Sequence, residues 1–253
     1  MFVDWIPTKY SNPDFASLLL KQTSLVEKYI KLKVPILIFD RHFGISKKET
    51  VWLKRNNVKL FEPAINHRDG FKYLPFWAEL KTFDNINFNA VEKNIDLAYK
   101  GDIRDKLKTF EKYYITYGKL YPFSNICYDS NINTIKVEEY NNYNVIRDNN
   151  IDLSKVKATI IIGNKMEYKM GFIDNNIFEA LKNNCIPFMP YEHRYFRGIF
   201  SQDINPKSLN YWIDSYNLVY TGVISEIYDN IKELYPEFSV EYTVDIIKNY
   251  AKI

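Results

Sequence analysis

Between Ala158 and Tyr191 the chain reads ATIIIGNKMEYKMGFIDNNIFEALKNNCIPFMPY: an apolar run, a polar turn, a segment of helical spacing and a second apolar run. Strands without polar alternation are buried on both faces, which points to a parallel sheet covered by helices. The spacing predicts a strand from Ala158, a short helix opened by Gly171 and carrying Phe178, Glu179, Ala180 and Leu181, and a strand through Ile186 to Met189. Glu179 then stands near the carboxyl edge of the strands, where open parallel sheets bind ligands.

The same rhythm runs through the chain from its start. Phe2 to Ile6 reads as a strand, Asn12-Pro13 as a helix start followed by apolar residues at helical spacing, and Val34 to Phe39 as a buried strand that delivers Asp40, Arg41 and His42. Ser46-Lys-Lys-Glu49 has capping-box spacing and opens the next helix, and Val58 to Phe61 is a strand that leads into a polar loop holding Glu62, His67, Arg68 and Asp69. Lys81 to Lys93 is polar and Asn-rich, the expected linker. Beyond it come a strand at Ile95 to Lys100, a turn at Gly101, a helix from Arg104 to Tyr117, and strands at Ser124 to Tyr128 and Thr134 to Val137. Tyr220 to Tyr235 and Val240 to Ala251 are amphipathic helices. Strands alternating with helices define an α/β protein, here expected as two lobes, 1–92 and 93–237, with helix 238–253 packing back on the first.

Composition narrows the classes. Hydrophobic content of 46% with 26% charged residues is that of a folded globular chain, so disorder is not expected. Residues 1 to 60 hold eleven Lys or Arg against five Asp or Glu, a basic bias that either attracts phosphate or is a solvated face. Cys127 and Cys185 lie in apolar surroundings and lack metal-ligand or redox spacing, as expected of reduced core cysteines. MFVDWIPTKY is not a signal-peptide pattern, and no apolar stretch approaches the ~18 residues of a membrane span, so a cytoplasmic protein without a membrane partner is expected.

The chemistry is narrowed by what is missing. The eight glycines never fall two apart, which excludes the usual dinucleotide fingerprint and the phosphate-binding P-loop. No Asp-x-Asp pair is present to hold a divalent metal on a nucleotide sugar, and three scattered histidines make no zinc site, so no metal is expected. Leu97 to Arg104 is a strand, glycine, helix transition: Gly101 permits close backbone approach, while Arg104 and Lys106 add charge for an anion there, or else the segment is a turn beside surface charges. Glu179 is suited to accept the hydroxyls of a ribose, or is a solvent-facing carboxylate on an amphipathic helix. Taken together, the two segments offer a diphosphate site and a ribose site to a single nucleotide.

Gly101-x-x-Arg104, followed downstream by Gly171, a polar turn and Phe178-Glu-Ala-Leu181, resembles the donor-binding lobe of GT-B glycosyltransferases. Where many relatives carry an arginine before Phe-Glu-Ala, this chain has Asn175-Asn176. The segments Pro35 to His42 and Glu62 to Arg68 are also similar to bacteriophage DNA glycosyltransferases of the T-even alpha-glucosyltransferase kind. This resemblance implies two Rossmann-like lobes with a donor cleft between them and transfer of a sugar from a nucleotide sugar, UDP-linked, to a hydroxymethylpyrimidine in double-stranded phage DNA, without a further cofactor. The donor-binding set would be Gly101, Arg104, Lys106, Gly171, Asn176 and Glu179, with Arg104 also stabilising the leaving diphosphate. Asp40, opening into the cleft, would be the general base, with His42, Asp69 and Glu62 in reserve, and Arg41, His42, Lys47, Lys48 and Arg68 would face the DNA. Another acceptor, a polysaccharide or a protein, or a non-catalytic nucleotide-binding module, are the alternative readings.

Overall fold

The structure, a computed structural model, describes residues 1–5, 13–41, 43–74, 88, 92–101, 103, 106–115, 126–129, 145–148, 150–172, 176–189, 208–234 and 236–251. The chain divides into two units, Met1–Trp77 with Glu237–Ile253, and Ala78–Pro236. Most of the expected linker and the strand expected at Thr134 to Val137 lie outside the described residues.

In the first unit, strands β1 (Phe2–Asp4), β2 (Leu37–Phe39), β3 (Lys59–Glu62) and β4 (Lys72–Tyr73) lie side by side in that order, all parallel. Helix α1 (Pro13–Lys31) links β1 to β2, and α2 (Lys47–Arg55) links β2 to β3. Ser46 caps α2 with the reciprocal bonds its spacing predicts: the Ser46 hydroxyl accepts from Glu49 N at 3.2 Å, and Glu49 Oε2 from Ser46 N at 2.7 Å. Alternate residues of the strands face opposite ways. Ile36, Ile38 and Leu60 pack with Val26 and Leu53, whereas Leu37, Phe39 and Phe61 pack with Ile246, Ile247 and Tyr250 of the last helix, Val240–Ala251. Both faces are therefore covered, which is why Val34 to Phe39 shows no polar alternation. β4 was not foreseen, because two residues carry no period.

Among the described residues the second unit holds a five-stranded parallel sheet: β5 (Ile95–Lys100), β6 (Ile126–Asp129), β7 (Val145–Arg147), β8 (Val156–Ile160) and β9 (Ile186–Phe188), ordered β7-β6-β5-β8-β9. Counted from β5 this is the order 3-2-1-4-5 of a Rossmann-type sheet. Pro187, which has no backbone N–H, falls on the edge strand β9, where a missing donor leaves no gap in the ladder. The helix expected from Arg104 is described from α3 (Leu107–Phe110), which widens into a π turn at Glu111–Ile115. Phe110 and Tyr114 stack with ring centroids 4.6 Å apart, Tyr99 meets Phe110 edge-on at 5.1 Å, and Tyr114 donates its hydroxyl to the Cys127 carbonyl. Between β8 and β9 the chain forms two helices rather than one, α4 (Lys165–Met170) and α5 (Asn176–Lys182). Ile177, Phe178, Ala180 and Leu181 are buried, leaving Asn176 and Glu179 on the partly exposed face of α5. Among the described residues no helix is long and apolar enough to cross a membrane.

Candidate nucleotide site

In the second unit the strand order turns on β5: the chain proceeds outward through β6 and β7 on one side and through β8 and β9 on the other. Loops leaving the carboxyl ends of β5 and β8 diverge there, which opens a crevice for ligand. β5 ends at Lys100, and Gly101 follows with φ of 145°. A Cβ at Gly101 would lie 3.2 Å from the Tyr99 hydroxyl and 3.7 Å from Asn176 Nδ2, so this left-handed, tightly approached position favours glycine.

Across the crevice, α5 returns two contacts to the same residue. Asn176 Nδ2 donates to the Lys100 carbonyl at 2.9 Å, and Lys100 Nζ donates to Glu179 Oε1 at 2.5 Å. Asn176 and Glu179, three apart, share one helical face. Among the described residues Glu179 Oε2 has no partner, and the Glu179 side chain is 39% exposed. A second pair spans the same two segments: Lys106 Nζ lies 3.4 Å from Glu167 Oε2, with side chains only 11% and 16% exposed. Glu167 is itself fixed by an Asn164 capping box, in which Asn164 Oδ1 accepts from Met166 N and Glu167 N while Glu167 Oε2 accepts from Asn164 N at 2.7 Å. Two cations and two carboxylates thus line the switch point, with the chemistry to receive a diphosphate and a diol. Among the described residues no three His, Cys, Asp or Glu side chains gather as a metal-binding group.

One expectation changes here. Gly171 does not open the helix carrying Glu179; it closes α4 in the left-handed conformation, φ 69° and ψ 44°, its N–H bonded to the Glu167 carbonyl. The reason is the capping box at Asn164, which starts a helix seven residues earlier than the glycine suggested. Arg104 lies outside the described residues. Lys100, Asn164 and Glu167 were missed, although Asn164-x-x-Glu167 carries the capping spacing that would have revealed the extra helix.

In the first unit, Asp40 follows β2 but does not open to solvent: it is fully buried. Its Oδ1 accepts from Gly44 N at 2.7 Å, and its Oδ2 from Ile45 N at 2.9 Å and Arg68 Nη2 at 2.5 Å. Arg68 also donates through Nε to Glu62 Oε2 at 2.7 Å, through its backbone N–H to Glu62 Oε1, and through Nη1 to the Ile45 carbonyl at 2.9 Å, with its guanidinium 4.1 Å from the centre of the Phe71 ring. Glu62 is equally buried. Asp40 and Glu62 therefore share one guanidinium that fastens the loops after β2 and β3, and the amides of Gly44 and Ile45 close on the Asp40 carboxylate. Arg68 is turned inward to this clamp, and Arg41 pairs with Asp4 at 3.2 Å. Lys47 and Lys48 are exposed in the first turn of α2, Asp69 is exposed in the loop after β3, and His42 lies outside the described residues.

This pair of parallel α/β units, the second with the nucleotide-binding strand order, is the GT-B fold of glycosyltransferases. Among solved structures the chain is similar to T4 phage beta-glucosyltransferase: a mutant of that protein in complex with UDP-glucose matches with a TM-score of 0.66 at 15% identity, over 100% of this chain and 82% of the other. A structure of the DNA modifying enzyme beta-glucosyltransferase with and without uridine diphosphoglucose matches with a TM-score of 0.55 at 13% identity, covering 87% and 75% of the two chains. TarM matches with a TM-score of 0.50 at 10% identity, over 87% of this chain and 50% of the other. No protein-family profile matches the chain, and no curated protein matches it by sequence.

Proposed function

We propose that this protein is a glycosyltransferase that moves a sugar from a UDP-linked donor to a hydroxymethylpyrimidine in phage DNA. The observation that carries the reading is the cluster of Lys100, Asn176 and Glu179 beside Gly101 at the switch point of the second sheet. Its fold is shared with T4 phage beta-glucosyltransferase, which has been solved with UDP-glucose.

In this reading Glu179 accepts the ribose hydroxyls through Oε2, the carboxylate oxygen that Lys100 leaves open. Lys106 and Arg104 face the diphosphate, on which negative charge develops as the glycosidic bond breaks. Loss of one such electrostatic stabiliser typically raises a barrier by about 3 kcal/mol, roughly a hundredfold in rate. With Asp40 and Glu62 committed to Arg68, the general base falls to Asp69, the exposed carboxylate of the loop after β3, which would take the proton of the acceptor hydroxymethyl group. The exposed Lys47 and Lys48 would approach the phosphates of the acceptor duplex, giving register without reading sequence.

Glu179→Ala tests the donor assignment. Charge-assisted hydrogen bonds are worth about 1.5–3 kcal/mol, so UDP affinity measured by calorimetry falls by about tenfold or more. An unchanged affinity returns Glu179 to the solvated surface.

A further inference from the structure

Lys100 is given no contact with the nucleotide in the reading above, yet α5 holds it twice. Its carbonyl accepts from Asn176 Nδ2 and its ammonium donates to Glu179 Oε1, so main chain and side chain are both tied to one face of α5. An isolated ion pair as open as this one, 31% and 39% exposed, contributes little by itself. Here the geometry does something else. The lysine takes one carboxylate oxygen and leaves Oε2 without a partner among the described residues, and Gly101, directly after Lys100, keeps the backbone close enough to Asn176 for both bonds to form.

We infer that Lys100 is a positioning residue of the donor site, setting the Glu179 carboxylate so that Oε2 meets a nucleoside diol. The inference rests on the nucleotide reading of this site. Because Lys100 acts through Glu179, it governs recognition of the nucleoside and not of the phosphates. Lys106, joined instead to Glu167, is the cation for the diphosphate.

Titrations of uridine and UDP, followed through the uracil resonances, separate these roles in wild type, Lys100→Met, Glu179→Gln and the double variant. Lys100→Met weakens both ligands by a similar factor, about fivefold to tenfold. The double variant is no weaker than Glu179→Gln alone, since residues that act as one unit are not additive. Lys100→Arg recovers most of the affinity, and coincident thermal unfolding curves exclude general damage. The inference is overturned if Lys100→Met weakens UDP while leaving uridine untouched, which makes Lys100 a phosphate contact. Strictly additive losses, or no loss at all, overturn it too. Wild-type protein that binds neither ligand defeats the donor reading itself, and this inference with it.

Discussion

Arg68 joins two buried carboxylates that have no other described cation near them. Removing one partner of a buried ion pair strands charge in a low-dielectric interior, at a cost of about 3–5 kcal/mol. Arg68→Leu is therefore expected to lower the unfolding free energy by about that amount in urea titrations, and Lys cannot replace the planar fork that reaches Asp40, Glu62 and the Ile45 carbonyl together. Asp69→Asn should behave in the opposite way: turnover falls by about a hundredfold or more while stability and UDP affinity hold, because the side chain is exposed and outside the clamp. The difference between these carboxylates was not legible in sequence. Asp40 looks open because it ends a strand, and its burial depends on Arg68, twenty-eight residues away. Glu179 was legible, because it is the polar residue in an otherwise buried Phe-Glu-Ala-Leu.

At the scale of elements, long and strongly patterned segments were the readable ones. β5 occupies the expected residues, the Ser46 cap forms as spaced, and the helix expected at Tyr220 begins four residues earlier, as α7 (Tyr216–Leu234), directly after a separate helix α6 (Leu209–Asp214). β4 and β7 were not, since two or three residues show no period and owe their place to a neighbouring strand. The start of β9 has a pH signature of its own. Cys185 is buried beside Lys93 and Tyr216, and Lys93 bonds the Asn183 carbonyl at 2.6 Å. Burial pushes the Cys185 thiol up to about 12 from an ordinary 9.0 and also raises the Tyr216 hydroxyl. The folded chain keeps these protons where the unfolded chain releases them, so stability is intact below about pH 9 and declines as pH rises toward about 12. Burial lowers the Lys93 ammonium, which acts in the opposing direction. Comparing denaturation at about pH 8 and about pH 10.5, wild type should lose more stability than Cys185→Ala; parallel losses would show that Cys185 does not titrate as its burial requires.

For the whole molecule, strand and helix alternation announced an α/β chain. What the pattern did not carry is non-local: the order of strands that makes β5 the switch point, and the two lysine–glutamate pairs that cross from its end to the segments after β8. Those contacts join residues 61 to 79 positions apart in sequence, beyond any local period. Transfer of a sugar to DNA is the activity we propose for these units. Its most direct test is the mass of nucleosides digested from hydroxymethylated phage DNA after incubation with the protein and a panel of nucleotide sugars. Hydroxymethylpyrimidine nucleosides are expected to gain the mass of one sugar with a UDP-linked donor, and Glu179→Ala to give less of that product at limiting donor. Unmodified nucleosides with every donor, from protein that binds UDP, would contradict it.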